Sequence, residues 1–287
     1  MINGETRLVG IIGWPVEHSL SPVMHNAAFH HRGMNWAYVP LPVPPDRLRD
    51  AVRGLRALGF RGANVTIPHK QAVIPLVDSI TPEAQAVGAV NTIVVESDGR
   101  MWGTNTDVLG FWSDLQAHDV QVEGERVLVL GAGGAARAVV YALARAGAQV
   151  TIANRTPARA VALARHMHHM LPARAFRVVE WTVQDLARAA EEHTILVNTT
   201  SVGMWPEVDA SPWPTGVGFG RIRVVYDVIY RPQETRLLQH ARAWGCKTIG
   251  GLGMLVRQGA EAWRLWTDQV PPVQVMEEAV RRGLAER

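Results

Sequence analysis

The sequence has 287 residues, of which 47% are hydrophobic and 19% are charged, with a formal net charge of +3. These values are typical of a globular chain long enough for two domains, and the interspersed positive and negative residues give little support to nucleic-acid binding. No apolar run is long enough to span a bilayer and no secretion-signal pattern opens the chain, so we expect a cytoplasmic protein without membrane contacts.

The first hundred residues alternate between strand and helix patterns. They predict strands over 8–12, 36–43 and 62–67, helices over 21–32 and 45–58, and a short helix from His69. Ser21 and Pro22 predict an N-cap and a first helical position. A hairpin is expected over 92–103, because its two runs flank Asp98-Gly99, a favoured turn pair.

The centre of the chain carries a glycine-rich loop between a strand pattern at 127–130 and an alanine-rich helix pattern. Gly131 allows a sharp turn, and Gly133 allows a pyrophosphate to approach the backbone. Ala136, where a third glycine is common, is small enough for close packing of strand and helix. The helix N-terminus would attract phosphates, so this loop predicts a dinucleotide site.

A second strand pattern at 150–153 runs into Asn154, Arg155 and Thr156. An acidic residue there would bind the ribose 2′-hydroxyl of NAD, whereas Arg155 and the nearby Arg159 suit the 2′-phosphate of NADP. Thr156 and Pro157 also predict a helix start. NADP is therefore the expected cofactor.

Further strands are predicted at 177–181, 195–199, 224–228 and 247–249, with helices between most of them and a long loop over 202–219. A helix over 106–117 precedes this region, and helices over 252–266 and 272–285 close the chain and are expected to pack on the first domain. The lone Cys246 excludes an internal disulfide and is expected to be a small buried residue. The histidines of 165–169 have no acidic neighbours and are interpreted as a solvated helix face, so no metal is expected.

Three polar clusters precede the glycine loop: 18–22, 64–70, and 88–92 with 103–107. Asn64 and Thr66 should share one face of a strand, with Lys70 at its carboxyl end, the edge where open α/β sheets bind ligands. Lys70 could instead be a solvated charge, and Asp107 could be only a helix cap. If the two pair beside a nicotinamide, lysine can protonate a carbonyl oxygen that receives a hydride.

Across the whole chain these residues resemble the shikimate dehydrogenase family. The matching segments occur in the family's order: SLSP at 19–22, NVTIPHK at 64–70, GAVNT at 88–92, NTD at 105–107, GAGGA at 131–135, NRT at 154–156, NTTSVGM at 198–204, YDVIY at 226–230 and GLGMLVRQ at 251–258.

The resemblance implies reversible, NADP-dependent reduction of 3-dehydroshikimate to shikimate, in the pathway to chorismate and the aromatic amino acids. It implies Lys70 as the acid/base and Asp107 as its partner. Substrate contacts would come from Ser19, Ser21, Thr66, Asn91, Asp107, Tyr230 and Gln258. Cofactor contacts would come from Gly131, Ala132, Gly133, Gly134, Ala135, Asn154, Arg155, Thr156, Arg159, Val228 and Gly251.

The family architecture implies an α/β fold with two domains. A substrate-binding and catalytic domain would comprise residues 1–107 plus 252–287, its N-terminal α/β part completed by the C-terminal helices. An inserted, doubly wound Rossmann-type NADP-binding domain would span 108–251, across a cleft.

Two other readings stay open at this point. A quinate or dual quinate/shikimate dehydrogenase of the same superfamily is one, although Arg155 and the two serines favour shikimate and NADP. A non-catalytic NADP-binding regulator is the other, and the presence of both Lys70 and Asp107 argues against it. Monomer and homodimer are both compatible with the sequence.

Overall fold

The computed structural model describes residues 2–286. The chain forms two compact units, one made of Met1–Gly110 and Leu255–Arg287 and the other of Phe111–Met254. The first unit is therefore discontinuous in sequence, and the second is inserted into it.

The strands are β1 Arg7–Gly13, β2 Trp36–Pro42, β3 Gly62–Val65, β4 Ser79–Ile80, β5 Thr92–Val95, β6 Met101–Thr104, β7 Arg126–Leu130, β8 Gln149–Ala153, β9 Phe176–Val179, β10 Ile195–Asn198, β11 Val224–Asp227 and β12 Lys247–Gly250. The α-helices are α1 Ser21–His31, α2 Leu48–Ala57, α3 Pro82–Val87, α4 Asp107–Ala117, α5 Gly134–Arg145, α6 Pro157–Met170, α7 Val183–Glu192, α8 Arg236–Ala243, α9 Leu252–Thr267 and α10 Val273–Ala285. Short 3-10 turns cover Pro45–Arg47 and Ile74–Leu76.

The first unit is built on a mixed sheet with the strand order β2-β1-β3-β5-β6-β4. β1 pairs in parallel with β2 and β3, while β3, β5 and β6 pair antiparallel. The predicted hairpin is confirmed as β5 and β6. α10 packs against α1, which confirms that the C-terminal helices complete this unit.

The second unit is built on a parallel sheet with the order β12-β11-β10-β7-β8-β9. This is the doubly wound strand order: β8 and β9 are added on one side of β7, and β10, β11 and β12 on the other. A crevice therefore opens between β7 and β10, where the connections leave in opposite directions. Strands β7, β8 and β10 are buried on both faces apart from single end residues, as a sheet covered by helices on both sides requires. The α/β fold class and the Rossmann-type insertion are thus confirmed.

Each unit has its own apolar core. In the first, residues of the sheet such as Ile12, Val65 and Ile93 pack with Val52 and Leu55 of α2. In the second, Leu128 and Leu196 of the sheet pack with Leu186, Leu238 and the side chains of the long loop, Trp213 among them. Cys246 is a buried member of this core, where its Sγ donates to the carbonyl of Ile222, and burial raises the pKa of the thiol.

Four local predictions differ from the structure. Helix α1 has Leu20 rather than Ser21 at its N-cap, because Ser21 already lies in the first turn and its N–H is accepted by Ser19 Oγ. The predicted helix at 45–58 is divided into a 3-10 turn and α2.

Residues 69–73 form turns rather than the predicted helix, followed by the 3-10 turn at Ile74–Leu76. Pro75 has no N–H to donate to the carbonyl of Gln71, so an α-helix that begins at His69 cannot continue through it. The prediction also missed β4 and α3, although Thr81 caps α3 through the N–H of Ala84 and Gly88 ends it with φ +68°.

No helix within residues 2–286 is both long and apolar enough to cross a membrane. Between β10 and β11 the chain contains neither helix nor strand, which confirms the predicted long loop.

Candidate active site

The glycine loop of the second unit follows β7 at the carboxyl edge of the parallel sheet. Gly131 has a φ of +114°, and a Cβ added there would lie 2.4 Å from the Oγ1 of Thr199. Thr199 follows β10 and its hydroxyl donates to the carbonyl of Leu130 at 2.6 Å. Only glycine fits this turn without strain, and the turn lies where β7 and β10 diverge.

The space beside the next glycine is empty. Gly133 occupies the N-cap of α5, and a Cβ added to it would meet no atom within 4 Å. No side chain caps the helix and no acidic residue lies in its first turn, so its N–H groups are not covered by a local carboxylate. Ala136, further into α5, is fully buried. The loop therefore leaves an open approach for a phosphate to the positive end of a helix.

The end of β8 carries the residues predicted to meet the adenosine ribose. Asn154 Nδ2 donates to the carbonyl of Thr156, which forms the N-cap position of α6 with Pro157 at N1. Arg155 and Arg159 are exposed, and no carboxylate among residues 2–286 forms an ion pair with either. Both guanidinium groups are thus available to an anionic ligand.

Val228 and Gly251 follow β11 and β12 at the same edge. A Cβ added to Gly251 would lie 2.0 Å from the carbonyl oxygen of Val228, so the two backbones are in close contact. Tyr230, two residues further along, is half-buried. The structure therefore brings Val228 and Gly251 together at the edge that also carries the glycine loop.

A buried carboxylate anchors this edge, and the sequence reasoning assigned it no role. Asp227 accepts hydrogen bonds from Asn198 Nδ2 at 2.9 Å, Thr235 Oγ1 at 2.7 Å and the N–H of Ile229 at 3.1 Å. Burial raises the pKa of Asp227 to about 6, against the opposing effect of these three donors. Asp227 thereby fixes the segment from Val228 to Tyr230 against the end of β10.

In the first unit, the amine and the carboxylate singled out from the sequence are paired. Lys70 Nζ donates to Asp107 Oδ2 at 2.5 Å, and the two side chains are only 14% and 6% exposed. Lys70 follows β3 through a turn, and Asp107 begins α4. An ion pair this shielded from water has a much stronger Coulomb interaction than a surface pair.

Asn91 joins this pair from the loop before β5. Its Nδ2 donates to Asp107 Oδ1 at 2.8 Å, and its Oδ1 accepts from the N–H of Thr106 at 2.7 Å. Gln258 lies on α9. Its Oε1 is 3.5 Å from Asn91 Nδ2, and its Nε2 donates to the carbonyl of Leu255. Four of the predicted site residues, Lys70, Asp107, Asn91 and Gln258, thus form one cluster.

The other predicted substrate residues of the first unit lie just before and at the start of α1 and directly after β3. Ser19 is half-buried and its Oγ accepts the N–H of Ser21, which leaves the Ser19 hydroxyl proton available to a ligand. Ser21 is buried. Thr66 is half-buried, with its methyl group against Gly13. The structure records no direct bond from these three side chains to the Lys70–Asp107 pair.

Sequence reasoning missed the polar chain behind Asn91. Asn64 and Thr92 are opposite each other in the antiparallel pairing of β3 with β5, and both are buried and hydrogen-bonded. Tyr38 of β2 donates its hydroxyl to Asn64 Oδ1 at 2.8 Å. The polar residues in the apolar strand patterns at 64 and 92 were the available signal, but their partners depend on sheet register.

A doubly wound sheet with an open glycine loop, and a buried amine–carboxylate pair set among hydrogen-bonding side chains, define a dinucleotide-dependent oxidoreductase. The glycine loop fits a pyrophosphate, and the exposed arginines after β8 fit a phosphorylated ribose. Within residues 2–286, no group of three histidine, cysteine, aspartate or glutamate side chains is placed to hold a metal ion.

Comparisons with known proteins identify the family. Residues 11–93 match the shikimate dehydrogenase substrate binding domain, residues 114–203 match shikimate / quinate 5-dehydrogenase, and residues 251–281 match the shikimate 5′-dehydrogenase C-terminal domain. Shikimate dehydrogenase (NADP(+)) of Moorella thermoacetica is 47% identical, with 99% of this chain and 95% of that protein covered.

Solved structures are similar over the same length. Shikimate 5-dehydrogenase from Thermus thermophilus, in complex with NADP(H) and shikimate, has a TM-score of 0.85 and 42% identity, covering 97% of this chain and 100% of that one. Quinate dehydrogenase from Corynebacterium glutamicum, in complex with NAD, has a TM-score of 0.87 and 33% identity, covering 96% and 99%. The chain belongs to the shikimate dehydrogenase family.

Proposed function

We propose that this enzyme reduces 3-dehydroshikimate to shikimate with NADPH and catalyses the reverse oxidation, with Lys70 as the acid/base and Asp107 as its partner. The observation that carries the proposal is the buried 2.5 Å contact between Lys70 Nζ and Asp107 Oδ2, with Asn91 on the second carboxylate oxygen. Bound NADPH supplies the hydride that reduces the substrate carbonyl.

Lys70 has three N–H donors and uses one of them on Asp107. A second can donate to the carbonyl oxygen of the substrate, and its proton moves to that oxygen as the carbonyl carbon is reduced. The lysine is then a neutral amine, still held by Asp107. In the oxidation direction, the same amine accepts the hydroxyl proton.

Asp107 holds Lys70 in place and balances its charge. Because Asn91 donates to one carboxylate oxygen and Lys70 to the other, the carboxylate has little freedom to rotate. Asn91 and Gln258 line the same cluster and are suited to read the hydroxyl groups of a polyol ring. The free hydroxyl proton of Ser19 is suited to the substrate carboxylate, with Ser21 and Thr66 beside it.

The second unit would hold the cofactor. The loop from Gly131 to Ala135 and the start of α5 would bind the pyrophosphate, and Val228 and Gly251 would line the same edge. Arg155 and Arg159 would bind the 2′-phosphate, with Asn154 and Thr156 shaping the turn that presents them. Tyr230 would contribute a substrate contact from the segment after β11.

The proposal is tested by following the 340 nm band of NADPH with shikimate and quinate offered separately, each with NADP+ and NAD+. We expect turnover with shikimate and NADP+ to exceed that of the other three combinations. Lys70→Ala should lower kcat roughly a hundred- to ten-thousand-fold, the range for a lost general acid/base, with little change in shikimate binding.

Lys247→Ala is the matched control, because Lys247 is the one other lysine in the sequence and lies at the exposed start of β12. It should keep wild-type turnover. Wild-type-like turnover in Lys70→Ala would defeat the assignment of the acid/base. Binding of shikimate and NADP+ by the wild-type protein without turnover would instead indicate a non-catalytic regulator. Faster turnover with quinate than with shikimate would indicate a quinate dehydrogenase.

A further inference from the structure

The orientation of two buried amides is fixed by backbone groups. Asn91 Oδ1 lies 2.7 Å from the N–H of Thr106, which can only donate. Asn64 Nδ2 lies 3.3 Å from the carbonyl of Asn91, which can only accept. The oxygen and nitrogen of each side-chain amide are therefore determined by these contacts.

With both amides fixed, each hydrogen bond that involves an amide group has one possible direction, whereas the hydroxyls of Thr92 and Thr106 also contact each other at 3.3 Å and either of them can donate. Tyr38 must donate its hydroxyl to Asn64 Oδ1, at 2.8 Å. Asn64 Nδ2 donates to Thr92 Oγ1 at 3.1 Å, and Thr92 donates to Asn91 Oδ1 at 3.1 Å. Asn91 Nδ2 then donates to Asp107 Oδ1 at 2.8 Å.

All four donors thus point toward the carboxylate that holds Lys70. Hydrogen bonds aligned in one direction polarise one another, and a low-dielectric interior strengthens the effect. Every member of this chain is at least nine-tenths buried, with exposed fractions between 0% for Thr92 and 5% for Asn64. The aligned chain therefore ends on Oδ1 of Asp107, the carboxylate oxygen that does not contact Lys70, and restricts the rotation of this carboxylate.

Tyr38, the first donor, is held rigidly from two sides. Asn26 accepts its backbone N–H at 2.8 Å and donates to its carbonyl at 2.9 Å. Its ring stacks on His25 with centroids 4.4 Å apart and planes 4° from parallel, and it tilts against Trp266 at 6.0 Å. The phenol oxygen is consequently presented to Asn64 in one position.

We propose that Tyr38 is a positioning residue for the reaction, acting through Asn64, Thr92 and Asn91 to hold the Asp107 carboxylate in its orientation toward Lys70. This inference rests on the proposed function of that pair. Nothing in it requires Tyr38 to touch the substrate or the cofactor. Loss of its hydroxyl leaves Asn64 Oδ1 with one donor fewer in a buried setting, and the alignment of the chain is weakened from its far end.

The test is the pH–rate profile of Tyr38→Phe, which removes the hydroxyl and keeps the ring stacked on His25. We expect kcat/KM for shikimate to fall about three- to ten-fold, the equivalent of one buried hydrogen bond. The acidic limb of the profile should move to lower pH, because the neutral Lys70 amine accepts the proton in this direction and a less firmly held carboxylate favours its protonated form less. KM for NADP+ should stay within about two-fold of wild type, since a single hydrogen bond lost from the first unit removes no cofactor contact.

Thr92→Val breaks the same chain in the middle and should produce a similar shift of the acidic limb. In the double variant the Tyr38→Phe change should have almost no further effect, because the chain is already interrupted. A limb that does not move in either single variant, or full additivity in the double variant, would overturn the proposal. Thr92→Val also keeps the test decisive if Tyr38→Phe does not fold.

Tyr226→Phe is the matched control for a lost buried hydroxyl. Tyr226 donates to Asp114 Oδ2 at 2.7 Å in the second unit, so its loss should lower stability without moving the acidic limb. An equal shift in this control would mean that general destabilisation explains the result and would refute the role of Tyr38. Absence of turnover in the wild-type protein would instead refute the proposed function, which separates the two failures.

Discussion

The fully buried His25 should make the first unit sensitive to acid. Its ring is 0% exposed, and among the described residues neither ring nitrogen has a hydrogen-bond partner. Burial lowers the pKa of His25 from 6.5 to about 3. The folded protein therefore keeps this imidazole neutral at pH values where the unfolded chain binds a proton.

The sign and size of the effect follow from this difference. Above pH 6.5 neither state is protonated, and His25 has no effect on the pH dependence of stability. Below 6.5 the unfolded chain gains a proton that the folded protein excludes, so stability falls by about 1.4 kcal/mol per pH unit until the pH reaches about 3. The free energy of unfolding at pH 5 should therefore be about 2 kcal/mol lower than at pH 7.

The assay is urea unfolding of the wild type and His25→Phe between pH 8 and pH 4.5. Phe retains an aromatic ring against Tyr38 but cannot be protonated. The free energy of unfolding of the variant should therefore rise steadily relative to that of the wild type as the pH falls below 6.5. Any constant packing difference cancels, because only the change of the difference with pH is used.

His30→Gln is the control, since His30 lies on the same helix and is exposed. Its difference from wild type should hardly vary with pH. A difference between wild type and His25→Phe that stays flat from pH 7 to pH 4.5 would refute the reasoning.

Three further substitutions test the cofactor edge. Gly133→Val should fold normally, because a Cβ there meets no atom within 4 Å. It should weaken NADP binding more than about ten-fold, as measured by NADP titration, because the side chain fills the approach to the start of α5. Gly131→Ala should instead lower stability by about 1–3 kcal/mol in urea unfolding, because its φ is +114° and the added Cβ would lie 2.4 Å from Thr199 Oγ1; an equal loss in both glycine variants would contradict this contrast. Arg155→Ala should weaken NADP about ten- to a hundred-fold and NAD hardly at all, with the exposed Arg165→Ala on α6 as control; equal weakening of both cofactors would argue against a 2′-phosphate contact.

Local signals in the sequence were enough for most of the second unit. The apolar strand β7, the turn that needs glycine at 131, and the helix start at 133 are neighbours along the chain, so their physics is visible without the fold. The same is true of Arg155, whose place after β8 follows from spacing. Where local signals competed, as at Ser19 and Ser21, sequence reasoning chose the wrong N-cap.

The polar network behind Lys70 was decided by tertiary structure. Asn64 meets Thr92 because β3 and β5 pair antiparallel in one register, and a slip by one residue would turn every side chain to the other face. Gln258 reaches Asn91 across 167 positions of sequence because α9 returns to the first unit after the insertion. Contacts of this kind depend on strand pairing and chain return rather than on neighbouring residues. The sequence by itself therefore determined which side chains could do chemistry, and the fold decided which of them hold one another in place.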